Sequence, residues 1–562
     1  MHMRLLLPMQ HRISQLVASL PLSQKVGQLF MLAFAGQDLA YAKSLVTDFH
    51  IGGFYLTDDN APNPAAACSL ASELQHLAAL RPCDAPLILG VDQEGAWGVL
   101  TQHTDLGPGN LALGVADDLA LTIRMYQVYA RQMLLLGYNT ILAPCADVNS
   151  NPDNPIIGQR SFGATPKLVS QHVAAAVQAL SAAGSLSCAK HFPGHGDTAA
   201  DSHSGLPRVE LDKPALMASH LQPFVAAIAA GVPLIMTSHI LYPALDSEHP
   251  ATLSPAILTG LLRQELGFEG VILTDSMNMG AMRQFYTPVA AAVLALKAGA
   301  DMIMLSEEHY ENERTDYKKL QAETIAGVIA AVRQGELAET LIDQALQRVL
   351  HLRYQLNLHS SELAGLSAPG ATISTMETGA QIASQAAQAA VRLLRNDAGI
   401  FPRPPMPASS DNTAPPTLIV ALTADPKGYD KICNSRGIGP NDPMPAGYVL
   451  REALAQSSLA LEFWSYATLQ QRLAAGKPLA SGQVLVLVTE DYPLPGDQID
   501  LAAQQKKVQQ AVFLWQQQVM VLALRSDTEL VSYPELATYL CTYSSRRCSA
   551  LAAAKILIDG HI

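Results

Sequence analysis

The chain has 562 residues, 49% apolar and only 15% charged, which excludes intrinsic disorder and makes it long enough for two domains. Its apolar runs end in a charge or a turn residue well before the roughly 18 residues that a spanning helix needs, so no membrane partner is expected. A formal charge of −13 with no basic run makes nucleic acid and anionic membrane surfaces poor partners as well.

Near the start, three leucines precede Pro8, too few for the apolar region of a signal peptide. Seven cysteines, at 68, 83, 145, 188, 433, 541 and 548, form no CxxC pair and no regular framework. Both features point to a reducing, cytoplasmic setting.

Through residue 356 the chain repeats one pattern: a short apolar run, a turn, then an amphipathic helix. The runs are Leu29–Ala33, Gly53–Leu56, Leu87–Val91, Thr140–Ala143, Ser187–Ala189, Leu234–Thr237, Val271–Thr274 and Met302–Leu305. Helical periodicity occupies Ala67–Leu80, Leu119–Leu136, Lys167–Ala183, Leu221–Ala230, Pro255–Leu266 and Val289–Ala298, and Ile342–Leu356 closes the series. Eight strands alternating with helices predict a (β/α)8 TIM-type barrel over residues 1–357. A Ser/Gly/Ala/Pro-containing stretch then reads as a linker, 358–378. Beyond it come a helix at Gly379–Arg395, a proline-rich loop at Phe401–Pro416 and strands at Thr417–Leu422, Leu459–Phe463, Val484–Thr489 and Val519–Leu524. These predict a smaller three-layer α/β sandwich domain, 379–562.

A barrel enzyme carries its reacting groups at the C-terminal ends of its strands. The residues that follow the apolar runs are Asp92, Asp147, Lys190 with His191, His239 and Asp275. So many charged and imidazole groups at strand ends, in a chain poor in charge, point to an active site. The densest segment is Lys190-His-Phe-Pro-Gly-His-Gly-Asp-Thr-Ala-Ala-Asp-Ser-His-Ser-Gly-Leu-Pro207. His191 and His195 have the spacing of a zinc-binding helix, but Pro193, Gly194 and Gly196 argue against a helix there, so no metal is expected. No P-loop, dinucleotide fingerprint or serine elbow is present either, and no cofactor is expected. Asp201 and His203, two apart, point the same way in extended backbone; a carboxylate beside an imidazole makes a proton shuttle at neutral pH. Asp275 would be the carboxylate that attacks an electrophilic carbon.

The segment from Lys190 through Asp201-Ser-His203 to Pro207 closely resembles the signature of the glycoside hydrolase family 3 β-N-acetylhexosaminidases, the NagZ-like group. The resemblance extends to Val91-Asp-Gln-Glu-Gly95, Ala143-Pro-Cys-Ala-Asp-Val-Asn-Ser-Asn-Pro152, Asn154-Pro-Ile-Ile-Gly-Gln-Arg-Ser-Phe-Gly163 and Gly267-Phe-Glu-Gly-Val-Ile-Leu-Thr-Asp275, so it covers most of residues 20–355. The C-terminal part is similar, less closely, to the α/β sandwich of larger members. The resemblance implies that Asp275 is the nucleophile of a covalent glycosyl-enzyme and that His203, held by Asp201, is the general acid/base. Asp92, Arg160, Lys190 and His191 match the family's sugar-binding positions. The implied substrate is a terminal β-linked N-acetylglucosamine on a small carbohydrate, as in peptidoglycan-recycling or chitin-derived fragments.

One departure bears on specificity. After Asp-Gln-Glu-Gly the family usually continues Gly-Arg-Val-x-Arg, whereas this chain reads Ala96-Trp-Gly-Val-Leu100. Trp97 could stack on a sugar face or fill the space left by an arginine stem, and His239 is a further possible sugar contact. Three alternatives to an exo-hydrolase therefore stand: a phosphorylase or transglycosylase, a glycosidase of altered sugar specificity such as a β-glucosidase, and a carbohydrate-binding protein with a relic site. The sequence sets no oligomeric state.

Overall fold

The computed structural model describes residues 2–199, 202, 205–306, 316–363, 374–402, 417–427, 444–491 and 499–561. The chain forms two compact units. The first comprises Met1–Glu94, Thr122–Ile157 and Ala164–Thr375; the second comprises Gly95–Leu121, Gly158–Gly163 and Met376–Ile562.

Among the described residues of the first unit, eight strands close into a barrel. They are β1 (Phe30–Leu32), β2 (Gly53–Tyr55), β3 (Ile88–Val91), β4 (Thr140–Ile141), β5 (Leu186–Phe192), β6 (Leu234–Thr237), β7 (Val271–Ser276) and β8 (Met302–Leu305). Every pairing is parallel, and β1 closes the ring on β8 with Met31 opposite Met304. All residues of β1, β2, β3 and β8 are buried. Helices cover the outer face and side chains fill the inner one, which is why these strands read as continuous apolar runs rather than alternating ones. The helices start at capped positions: Asn63 accepts the Ala66 N–H ahead of Pro64–Ala79, and Thr287 accepts that of Ala290 ahead of Pro288–Ala298.

Several elements differ from their expected extents. β5 runs three residues past its apolar core, so Lys190 and His191 belong to the strand, and β7 likewise includes Asp275. The expected helix at 255–266 is wound as a π-helix over Ala256–Glu265, with the Leu266 N–H donating five residues back to the Leu261 carbonyl. The closing helix is longer than its periodicity indicated, Glu339–Leu363. Residues 364–373 of the expected linker, and 403–416 of the proline-rich loop, lie outside the described residues.

In the second unit the described residues form a six-stranded sheet of order β11-β10-β12-β13-β14-β9. Its strands are β9 (Arg392–Asn396), β10 (Thr417–Leu422), β11 (Leu461–Trp464), β12 (Gln483–Glu490), β13 (Val519–Leu524) and β14 (Thr538–Cys541). Alternate residues of β12 and β13 face opposite layers. Leu485, Leu487, Val519 and Val521 pack with Trp464, Trp515 and helix Leu501–Trp515. Val486, Val488, Met520 and Leu522 pack with helices Ala446–Ala455 and Arg547–Asp559. This is a three-layer sandwich. The helix Asn110–Ala116 places Ala112 in the first of these cores, and a Cβ on Gly114 would lie 1.8 Å from the Phe162 carbonyl oxygen.

One expectation is corrected here. The helix expected at 379–395 is Ser374–Ala390, and Arg392–Asn396 leaves it to pair antiparallel with β14. β14 would otherwise present an unpaired edge, and satisfying its ladder outweighs the helical propensity of Arg and Leu. No helix among the described residues is long and apolar enough to cross a membrane.

Candidate active site

The C-terminal ends of β2 to β7 carry the polar groups of the first unit. Lys190, from β5, is buried and its Nζ lies 2.5 Å from both Asp92 Oδ1 and Glu94 Oε1. Asp92 and Glu94 follow β3 two residues apart, the spacing that turns both carboxylates to one side of extended chain. Tyr55, at the end of β2, donates its hydroxyl to Asp92 Oδ2 at 2.8 Å. A buried ammonium between two carboxylates cannot swing away without leaving them unpaired, so the group is rigid. Glu94 and Tyr55 were not singled out from sequence; the period-two spacing within Asp92-Gln-Glu94 was the signal for the first.

His191, the next residue of β5, is oriented from beneath. Asp147, wholly buried after β4, accepts the backbone N–H groups of His191 and His195 on Oδ1, at 3.1 and 2.6 Å. Its Oδ2 faces His191 Nδ1 at 2.8 Å and accepts from the Cys145 thiol at 3.1 Å. Burial works to raise the Asp147 carboxyl, but the neighbouring His191, and then His195, outweigh it and hold the group at about 2. An ionised Asp147 takes the hydrogen bond of His191 Nδ1 and so fixes the orientation of the ring.

The glycines of the histidine-rich segment have a local cause. Gly194 sits at φ +136°, and a Cβ on Gly196 would lie 1.8 Å from the Val148 carbonyl oxygen. Only glycine allows the chain to turn and press there, and this brings the His195 N–H onto Asp147. The His195 ring is buried, with Nδ1 at 2.9 Å from Thr198 Oγ1 and Nε2 at 3.1 Å from Ser202 Oγ.

Asp201 and His203 lie outside the described residues, but Ser202 between them is described and buried. Besides its bond to His195, its carbonyl accepts the Ala281 N–H at 3.1 Å. Ala281 belongs to the short helix Gly280–Arg283 that follows β7. Asp275 is partly exposed on β7, its Oδ1 accepting the Ser276 N–H at 2.8 Å. The strand around it is fixed to β8: Thr274 Oγ1 accepts from Met304 N and Ser276 Oγ from Ser306 N, each at 3.0 Å.

The charges converge inside the barrel. Burial pushes the Cys188 thiol, on β5, up to about 12; Lys190 opposes this, while Asp92 and Asp275 add to it. All three charged groups therefore act on one interior point. His239, expected as a possible sugar contact, has Nδ1 at 2.9 Å from Thr252 Oγ1 and Nε2 at 2.8 Å from the Ser276 carbonyl. Nε2 ties the end of β6 to the backbone just after Asp275, while Nδ1 anchors the ring on Thr252.

Arg160 and Trp97 belong to the second unit and stack on one another, with the Arg160 guanidinium carbon 3.9 Å from the Trp97 ring centroid. Both are buried, and Asn110 Nδ2 donates to the Arg160 carbonyl at 2.7 Å. The adjacent Gln159 accepts from Ser545 N at 3.0 Å and donates to the Asp491 carbonyl at 3.1 Å. Trp97 thus packs one ring face on a guanidinium, a cation–π contact that the sequence did not suggest.

The N-terminal domain model of glycosyl hydrolase family 3 matches residues 21–352. A β-hexosaminidase A from Pseudoalteromonas piscicida is 36% identical over 338 residues, 57% of this chain and 56% of that protein. A β-N-acetylglucosaminidase/β-glucosidase from Cellulomonas fimi is 28% identical over 390 residues, 67% of this chain and 65% of that protein. The matched stretch thus spans less than two thirds of either relative's length. A family 3 β-N-acetylglucosaminidase from Paenibacillus sp. str. FPU-7 has a TM-score of 0.78 at 29% identity, covering 97% of both chains. With the family's N-terminal domain matched across more than half of its length, this chain belongs to glycosyl hydrolase family 3.

Proposed function

We propose that the chain is a retaining exo-β-N-acetylglucosaminidase that releases terminal β-linked N-acetylglucosamine through a glycosyl-Asp275 intermediate. His203 gives its proton to the glycosidic oxygen while Asp275 attacks the anomeric carbon and the bond to the leaving group breaks. Water then attacks that carbon, its proton returns to His203, and Asp275 leaves as a carboxylate. Asp201 holds the imidazole in the tautomer this shuttle needs. Asp92 accepts from a sugar hydroxyl, and Lys190, His191 and Arg160 complete the polar contacts to hydroxyl and acetamido oxygens. Cytoplasmic action on cell-wall or chitin fragments belongs to the same reading, in keeping with six described cysteines that are all free thiols.

The observation that carries this reading is the tether on Ser202. Bonds from His195 on one side and from Ala281 on the other hold the residue between Asp201 and His203 to the segment that follows Asp275. That supports a proton donor and a carboxylate nucleophile serving one bond. The names of the relatives from Pseudoalteromonas piscicida and Cellulomonas fimi support an acetamido sugar, and the second of them favours some tolerance of glucosides. Nitrophenol release from the β-N-acetylglucosaminide and the β-glucoside, each with and without phosphate, tests the reading. It predicts preference for the acetamido sugar, insensitive to phosphate. Glucoside preference would move the sugar assignment, and phosphate stimulation with sugar 1-phosphate as product would make the enzyme a phosphorylase. Inactivity on both would favour an unusual glycoside as substrate or a carbohydrate-binding protein with a relic site.

A further inference from the structure

Cys145, Asp147 and His191 each offer one ligand atom, and these three atoms lie within 4.8 Å of one another. The thiol is buried on the stretch after β4, where Cys145 bridges in parallel to Lys190. Asp147 Oδ2 is the point on which the other two converge, at 3.1 Å from Cys145 Sγ and 2.8 Å from His191 Nδ1. Its other oxygen is already fixed by two backbone N–H donors. The carboxylate is therefore supported from behind, as a metal-ligating carboxylate is by its outer hydrogen bonds, and presents one oxygen to a soft sulfur and an imidazole.

We propose that this cluster is a site for a thiophilic divalent cation of the zinc class, and that an ion bound there inhibits the enzyme. The inhibitory part rests on the sugar-binding role assigned to His191 above. The ion takes the position of the two hydrogens that now point at Asp147 Oδ2. Sulfur at about 2.3 Å and nitrogen and oxygen at about 2.0–2.2 Å place tetrahedral ligands roughly 3.3–3.6 Å apart, so each side chain needs to retreat by about half an ångström. The Cys145 thiol loses its proton to solvent as the metal–sulfur bond forms. His191 binds through Nδ1 as the neutral imidazole, and the hydrogen displaced from Nδ1 passes to Nε2 or, where Nε2 already carries one, to solvent. One thiolate, one carboxylate and a neutral imidazole balance the dication, and the fourth position is left for water.

The consequence follows from the position of the ring. With Nδ1 on the metal, the ring has moved by about half an ångström and Nε2, which carries the remaining proton, can only donate. One sugar contact is displaced while the rest of the site stays in place. Of the three residues only His191 keeps any exposed surface, so the ion enters past its ring. The proposed glycosidase reaction itself needs no ion here.

Cadmium binding to the full chain reads the site without any assay of turnover. Titration of Cd2+ should give a saturable cadmium–thiolate absorbance of one equivalent, absent from Cys145→Ser. Loss of a direct ligand should weaken binding by more than the roughly 10–100-fold that loss of an outer partner costs. Zn2+ should inhibit the wild type reversibly on chelation, and inhibit Cys145→Ser much less relative to that variant's own metal-free rate. X-ray absorption of the zinc-loaded wild type covers the case in which the variant fails to fold. One sulfur at about 2.3 Å among nitrogen and oxygen neighbours is expected. A sulfur-free shell, or a thiolate band unchanged by Cys145→Ser, overturns the site. A site that binds cadmium in a protein inactive on both nitrophenyl glycosides leaves the metal inference standing and removes the glycosidase reading.

Discussion

Four groups depend on Asp147: two backbone amides, the His191 ring and the Cys145 thiol. Its ionisation is a matter of stability as well as orientation. The folded carboxyl titrates at about 2 against an ordinary 3.8. A depressed value means that folding favours the anion. That stability is fully present above pH 4 and is lost as pH falls through about 2, a contribution of about 2 kcal/mol. Asp147→Asn should therefore be less stable than the wild type near pH 6, and the gap should shrink on approaching pH 3. Denaturant unfolding across that range checks it, and a gap that does not vary with pH would contradict the ionised state.

At the level of elements, β12 ends on a carboxylate of the opposite kind. Glu490 is wholly buried; its Oε1 accepts the Gly447 N–H at the start of helix Ala446–Ala455, and its Oε2 has no hydrogen-bond partner among the described residues. Burial pushes this carboxyl from 4.5 up to about 8, and the Gly447 bond offsets only part of that. Folding here favours the protonated form, so stability is highest at low pH and declines as pH rises from about 4.5 to about 8. Glu490→Gln should melt at a higher temperature than the wild type at pH 8 and at nearly the same temperature at pH 5. Equal melting at both would show that the carboxyl is not buried as described.

The same elements show what the sequence could carry. Val271–Thr274 and Met302–Leu305 were legible because both faces of a barrel strand are buried, so the apolar run is unbroken. Lys190 and His191 were legible as chemistry but not as strand, since polar residues break the run that defines β5. β9 was not legible: Arg392–Asn396 is short and mixed, and it becomes a strand only because β14 lies beside it. Glu94 could be read from its spacing to Asp92. The approach of Cys145 and Asp147 to His191 could not, because it depends on β4 lying next to β5.

For the whole molecule, the notable point is how the second unit is assembled. Gly95–Leu121 and Gly158–Gly163 come from the stretch that forms the barrel, yet they pack with residues from Met376 onward. Ala112 is buried in the core that holds Trp464, Trp515 and Tyr539, with Leu111 and Val115 packed against it. Arg392 also donates to the Val115 carbonyl at 2.6 Å. A chain cut after residue 357 would leave this helix without its apolar partners and expose them together. Such a fragment should aggregate or unfold at a markedly lower temperature than the full chain, as size-exclusion and thermal unfolding would report. A monomeric fragment of unchanged melting temperature would show that those segments do not depend on the second unit.

The measurement that bears most directly on the central claim is trapping of the intermediate. Full-length protein incubated with a slowly turned-over fluorinated N-acetylglucosaminyl donor should gain the mass of one sugar. Peptide mapping should place that sugar as an ester on Asp275, and Asp275→Ala should gain none while keeping the wild-type fold. A sugar on another carboxylate, or turnover that survives Asp275→Ala, would contradict the assignment of Asp275 as the nucleophile.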